Sequence, residues 1–136
     1  MASSLELLSK TRVLIVEDQQ EARAILRLML GELGITQIYE ASDGKQASEF
    51  MDAAAEMVDM IVCDWNMPNM SGIELLKEMR KKSVNVPFLM VTGRGDMSSV
   101  VDARDGGVSG YIKKPFSPAQ LEVKLRVCIE RQKKAA

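Results

Sequence analysis

The chain has no histidine and only two cysteines, Cys63 and Cys128, in 136 residues. With no Cys-x-x-Cys pair and no imidazole, zinc sites, histidine-based triads and imidazole acid–base catalysis are excluded together. Both thiols read as small buried apolar side chains. Any phosphohistidine chemistry must draw its histidine from a partner. An excess of one charge is also missing: 18 basic against 19 acidic residues leave a net charge of −1. There is thus no electrostatic footprint for nucleic acid or an anionic membrane. No apolar stretch nears the roughly 18 residues of a membrane span, and the opening Met-Ala-Ser-Ser-Leu-Glu-Leu-Leu-Ser-Lys lacks the basic region and apolar core of a signal peptide. A cytosolic protein is expected. Aromatic residues make up 4% of the chain, too few to favour a flavin site. There is no Gly-x-x-x-x-Gly-Lys-Ser/Thr loop, and Gly93-Arg94-Gly95 lacks the third glycine of a dinucleotide loop.

What is present is an alternation. Apolar runs at Arg12-Val13-Leu14-Ile15-Val16, Val58 to Cys63, and Pro87-Phe88-Leu89-Met90-Val91 read as buried strands. Gln37-Ile38-Tyr39-Glu40-Ala41 is more polar and belongs nearer a sheet edge, and Gly110-Tyr111-Ile112 is a brief last strand. Between them, apolar residues fall at helical spacing. The first helix carries Ala22, Ile25, Leu26, Met29, Leu30 and Leu33 on its inner face and stops at Gly34. The second carries Ala47, Phe50, Met51 and Ala54, and the third Gly72, Leu75, Leu76 and Met79. A short fourth is marked by Met97, Val100 and Val101 and closed by Gly106-Gly107. The fifth opens on a capping box, Ser117 with Gln120, with Pro118 at the first helical position, and buries Leu121, Leu125, Cys128 and Ile129. Five strand–helix units with short connections and no linker predict one α/β domain: a five-stranded parallel sheet with five helices on both faces. Strand order does not follow from the pattern.

The strand ends share a chemistry. They present Glu17-Asp18, Asp64, Thr92 and Lys114, and a parallel sheet brings these to one edge. Pro68 marks the loop that follows Asp64. Three carboxylates so close need neutralising, and an oxygen-rich set suits a hard cation, Mg²⁺ above all. Lysine adds a compensating charge, and a threonine hydroxyl can donate to an anion. The set describes a site for a phosphoryl group and its metal. Read this far, a metal-dependent phosphatase or a nucleotide-binding domain stays open.

Four motifs, in order, resemble the receiver domain of two-component response regulators, of the single-domain CheY-like kind. They are Val16-Glu17-Asp18, the run from Asp64-Trp65-Asn66-Met67-Pro68 to Gly72, Val91-Thr92, and Gly110-Tyr111-Ile112-Lys113-Lys114-Pro115-Phe116. The resemblance spans about Thr11 to Arg131 and implies a single receiver domain over 1–136 without an output domain. It also supplies the strand order 2-1-3-4-5, borrowed from flavodoxin-like and CheY-like sheets. It implies that Asp64 is the phosphoacceptor, charged by a histidine kinase, a phosphotransfer protein or a small phosphodonor. Asp18 and Asp64 are expected to bind Mg²⁺ through their side chains, Asn66 through its carbonyl and Glu17 through water. Lys114 should pair with a phosphoryl oxygen. Thr92 should donate to the same group and draw Tyr111 inward, switching a face made of the fourth helix, the fifth strand and the fifth helix. The implied protein is a monomer that binds a protein target in chemotaxis or a related pathway, not nucleic acid or membrane. Gly93, with Arg94 and Gly95 behind it, departs from the small non-glycine residue common after the threonine. Trp65 is expected as a partly exposed lid beside the acid, and Lys113 as a solvated neighbour. Two competing readings are a Mg²⁺-dependent phosphatase working through an aspartyl phosphate, although this chain has Asn66 where such enzymes commonly place an acid, and a receiver fragment of a DNA-binding regulator.

Overall fold

The computed structural model describes residues 8–67, 69–93 and 107–135, the last four of these for their backbone only. The expected fourth helix around Met97, Val100 and Val101, together with Pro68, Arg94, Gly95 and Gly106, lies outside the described residues. The elements are β1 (Arg12–Val16), α1 (Gln20–Glu32), β2 (Gln37–Ala41), α2 (Gly44–Ala54), β3 (Met60–Asp64), α3 (Gly72–Lys81), β4 (Phe88–Thr92), β5 (Gly110–Lys113) and α4 (Pro118–Ala135), the last being the helix expected as the fifth. All neighbouring strands pair parallel, in the order β2-β1-β3-β4-β5.

The continuous apolar runs are explained by two separate cores. Alternate residues of a strand leave on opposite faces. Val13 and Ile15 of β1, Met60 and Val62 of β3, and Leu89 and Val91 of β4 therefore join α1 and α4 on one side. Leu14 and Val16, Ile61 and Cys63, and Phe88 and Met90 join α2 and α3 on the other. β2 at the edge keeps only Ala41 fully buried, which accounts for its mixed composition.

Helix ends follow local chemistry. Gly34 takes a φ of 96° while its N–H and that of Ile35 bond back to Gly31 and Leu30, the left-handed stop expected there. Ser83, at φ 64°, closes α3 in the same way. Asp43 and Ser71 accept from the backbone N–H of Gln46 and Glu74. The Ser117–Gln120 box closes in both directions, at 3.2 and 2.8 Å. One assignment is corrected: Ile25 is 56% exposed, and Leu26 and Leu30 alone are the fully buried residues of α1. The helix turns Ile25 toward the rim of the sheet's carboxyl edge.

At the opposite edge Arg12 grips Asp59. Its backbone N–H and Nε donate to Oδ2 at 2.8 and 2.9 Å, and Nη2 donates to Oδ1 at 3.1 Å. The Arg12 side-chain hydrogen bonds hold the Asp59 carboxyl below its ordinary range, outweighing burial. A carboxyl lowered by folding stabilises above its ordinary value and loses that contribution as pH falls through the lowered one. Asp59→Asn is therefore expected to unfold at lower denaturant than wild type at neutral pH, with the gap closing as pH falls below the ordinary carboxyl value of 3.8. An equal gap at both pH values would contradict this account.

Candidate functional site

Register builds the site. Val16 pairs with Ala41 and Cys63, Asp64 with Val91, and Thr92 with Lys113, so the residues just beyond share one edge. The ladder also runs on by a residue: the N–H groups of Glu17, Trp65 and Lys114 donate to the carbonyls of Ala41, Val91 and Thr92 at 3.1, 2.9 and 2.8 Å. Strand geometry, and not loop geometry, thus fixes Glu17, Asp64 and Lys114.

One carboxylate oxygen from each of Glu17, Asp18 and Asp64 lies within 4.8 Å of the others. Lys114 Nζ donates to Glu17 Oε1 at 3.2 Å and pairs with Asp64 Oδ1 at 3.3 Å. Burial pushes the Asp64 carboxyl above its ordinary value; Lys114 pulls the other way and Asp18 adds to the rise. Glu17 is raised by burial too, opposed by the Gln19 N–H on its Oε2. For Lys114 burial acts to lower the value, but the charges and hydrogen bonds of Asp64 and Glu17 win and hold it above the ordinary one. Three acids facing one ammonium leave negative charge in excess, and every donor is oxygen, so the residues fit a hard divalent cation. Both Glu17 oxygens already have protein partners.

A cleft of about 270 Å³ opens on Glu17, Asp64 and Lys114, with Ile25, Leu26 and Phe116 among its apolar walls. Thr92 is buried at the end of β4. Asn66 is exposed, and Trp65 is half-buried and packs against the α2–α3 core. Tyr111 is 44% exposed, and Lys124 Nζ stands 5.6 Å from its ring centroid, within cation–π range. Lys113 is exposed as expected.

The family model for the response regulator receiver domain matches residues 13–126. The chain belongs to that family. Among curated relatives this receiver is 38% identical over 120 residues to the chemotaxis protein CheY1 of Helicobacter pylori, covering 87% of this chain and 96% of that one. It is 38% identical over 122 residues to CheY-3 of Vibrio cholerae, covering 88% and 92%. Among solved structures it superposes on Vibrio cholerae CheY4 with a TM-score of 0.77 at 30% identity, covering 85% and 96%. A receiver domain from Clostridium thermocellum gives a TM-score of 0.84 at 22% identity, covering 93% and 99%, a likeness of fold. The receiver is therefore a two-component signalling protein and not a turnover enzyme; its family implies a histidine kinase as partner, and its acidic cluster is of the kind that holds Mg²⁺. Among the described residues no helix is long and apolar enough to cross a membrane.

Sequence reasoning missed two features of this receiver. Arg23 reaches back from α1 to the carbonyl of Glu17, and the carbonyl of Asp64 packs so close to Gly72 that a side chain there has no room. Periodicity could show neither: Arg23 looks like a solvated helix residue, and Gly72 like a helix start.

Proposed function

We propose that Asp64 accepts a phosphoryl group from the phosphohistidine of a kinase or from a small phosphodonor, and that the change switches a protein-binding face around Tyr111. Lys114 carries this reading: a single lysine spans Glu17 and Asp64 above a cluster of acids. An Asp64 carboxylate oxygen attacks phosphorus, the bond from phosphorus to the donor breaks, and the leaving group departs with the electron pair. Lys114 favours the charged, nucleophilic form of Asp64 against the burial that opposes it. As charge shifts onto the transferring oxygens, its ammonium stands ready to neutralise one of them. Asp18 and Asp64 side chains and the Asn66 carbonyl would hold Mg²⁺, with Glu17 acting through water, the roles that the family resemblance implies; both Glu17 oxygens have protein partners. When bound, the ion supplies further neutralisation of the phosphoryl oxygens.

The Thr92 hydroxyl would then donate to the new group, and Tyr111, half in solvent, would move inward, altering the surface it forms with α4. The match to chemotaxis proteins over 87–88% of this chain supports a chemotaxis-type role with a protein target. The test is intact mass after incubation with Mg²⁺ and a small phosphodonor. One phosphoryl adduct is expected, and a wild-type chain that takes up none refutes the reading.

A further inference from the structure

The first turn of α1 has no side-chain cap: Gln19 occupies the cap position and makes no such hydrogen bond. Asp43, Ser71 and Ser117 each cap the helix that follows them. The segment before α1 is nevertheless the one that carries Glu17 and Asp18, and it is held from a different direction. Arg23 Nη1 donates to the Glu17 carbonyl at 2.9 Å, while Arg23 Nε donates to Glu40 Oε1 at 3.1 Å. The other Glu40 oxygen accepts from Arg27 Nη1 at 2.7 Å. The Arg23 side chain is only 20% exposed.

That carbonyl belongs to the peptide joining Glu17 to Asp18. A bond on it fixes the rotation of the peptide plane, and with it the directions in which both carboxylates leave the chain. The preceding peptide is already fixed, because the Glu17 N–H donates to Ala41 in β2. Glu40, the anchor of Arg23, is the neighbouring residue of that same strand. We infer that Arg23, braced by Glu40, is a positioning residue for the cation site: it orients the Glu17–Asp18 peptide so that its carboxylates converge with Asp64. The inference rests on the reading of that cluster as the Mg²⁺ site.

Coulomb's law and positioning predict opposite signs. Deleting a nearby positive charge, by itself, should tighten cation binding. Loss of an orienting partner should loosen it, by about tenfold. The experiment titrates the protein with MgCl₂, following Trp65 fluorescence with calorimetry as a check. Arg23→Ala is expected to raise the Mg²⁺ Kd by about tenfold. Arg27→Ala, which removes a cation from Glu40 but none from the Glu17 carbonyl, should leave Kd within about twofold of wild type. Arg23→Lys keeps the charge but has a single donor head for two acceptors set apart, so it too should weaken binding, and it decides the matter if the alanine variant does not fold. Unchanged or tighter binding in both Arg23 variants, or equal weakening by Arg27→Ala, overturns the inference. A wild-type protein with no Mg²⁺ response removes the underlying reading as well, and the two failures are told apart by the wild-type curve alone.

Discussion

Asp64→Asn is expected to take up no phosphoryl group under conditions that label wild type, and in the absence of metal to be the more stable protein. The first effect follows from losing the proposed nucleophile: an amide oxygen is neutral and does not displace a leaving group from phosphorus. The second follows from charge. Burial raises both Asp64 and Glu17, so each ionised carboxylate opposes folding in the metal-free protein. A raised carboxyl binds its proton more readily in the folded state, so stability rises as pH falls from neutral toward the ordinary values of 3.8 and 4.5. Wild type should thus gain stability on mild acidification, and Asp64→Asn should start higher and gain less. The loss of the Arg12–Asp59 contribution lies below the ordinary value of 3.8 and does not overlap this window. Mg²⁺ should reverse the order, stabilising wild type far more than the variant, because only a site that binds the ion is stabilised by it. Chemical denaturation at several pH values, with and without Mg²⁺, reads all of this. A metal-free variant no more stable than wild type would show that Lys114 alone offsets the cost of the buried acids.

Gly72→Ala is expected to cost about 3 kcal/mol or more and to disorganise the site with the fold. A Cβ built on Gly72 falls 2.5 Å from the Asp64 carbonyl oxygen and 2.8 Å from Met90 Sδ. The thioether can shift; the carbonyl cannot, since it belongs to β3 in the middle of the sheet. The Gly72 N–H is also committed, donating to Trp65 at 2.9 Å. The loop must therefore move, and it carries Trp65 and Asn66 with it. Gly31, inside α1, is the control: among the described residues, its own helix backbone apart, nothing lies within 4 Å of its added Cβ. Gly31→Ala should stabilise by roughly 0.5–1 kcal/mol through helix propensity. Denaturant midpoints of the two variants should move in opposite directions, and a Gly72→Ala midpoint equal to wild type would sink the steric argument.

These two glycines show where sequence is readable. Ser117 with Gln120, Gly34 after Leu33, and the apolar strands are local signals, and each appears where its chemistry requires it. The converging strand ends were legible for a related reason: parallel strands share a direction, so Glu17, Asp64, Thr92 and Lys114 had to meet at one edge. Strand order was not legible, because crossover choice leaves no trace in hydrophobic period; it had to be borrowed. Ile25 was assigned inward because period 3.6 gives an apolar stripe wider than the contact α1 makes, and its outer margin borders the cleft. Arg23 and the Asp64–Gly72 contact were invisible because both join residues through backbone carbonyls, which every residue possesses.

The two thiols have a practical consequence. Cys63 is wholly buried and its thiol lies well above its ordinary value, and Cys128 is pushed to about 11, so neither offers thiolate to an alkylating dye. The chain is thus a ready host for a single introduced label. A cysteine at Val123, 51% exposed beside Tyr111, is addressable without removing either native one. Trp65, the sole tryptophan, already serves as an intrinsic reporter next to Asp64. Two optical probes, one at each end, can then time events at the acidic cluster against those at the Tyr111 face in the same molecule, the order that the proposed switch requires.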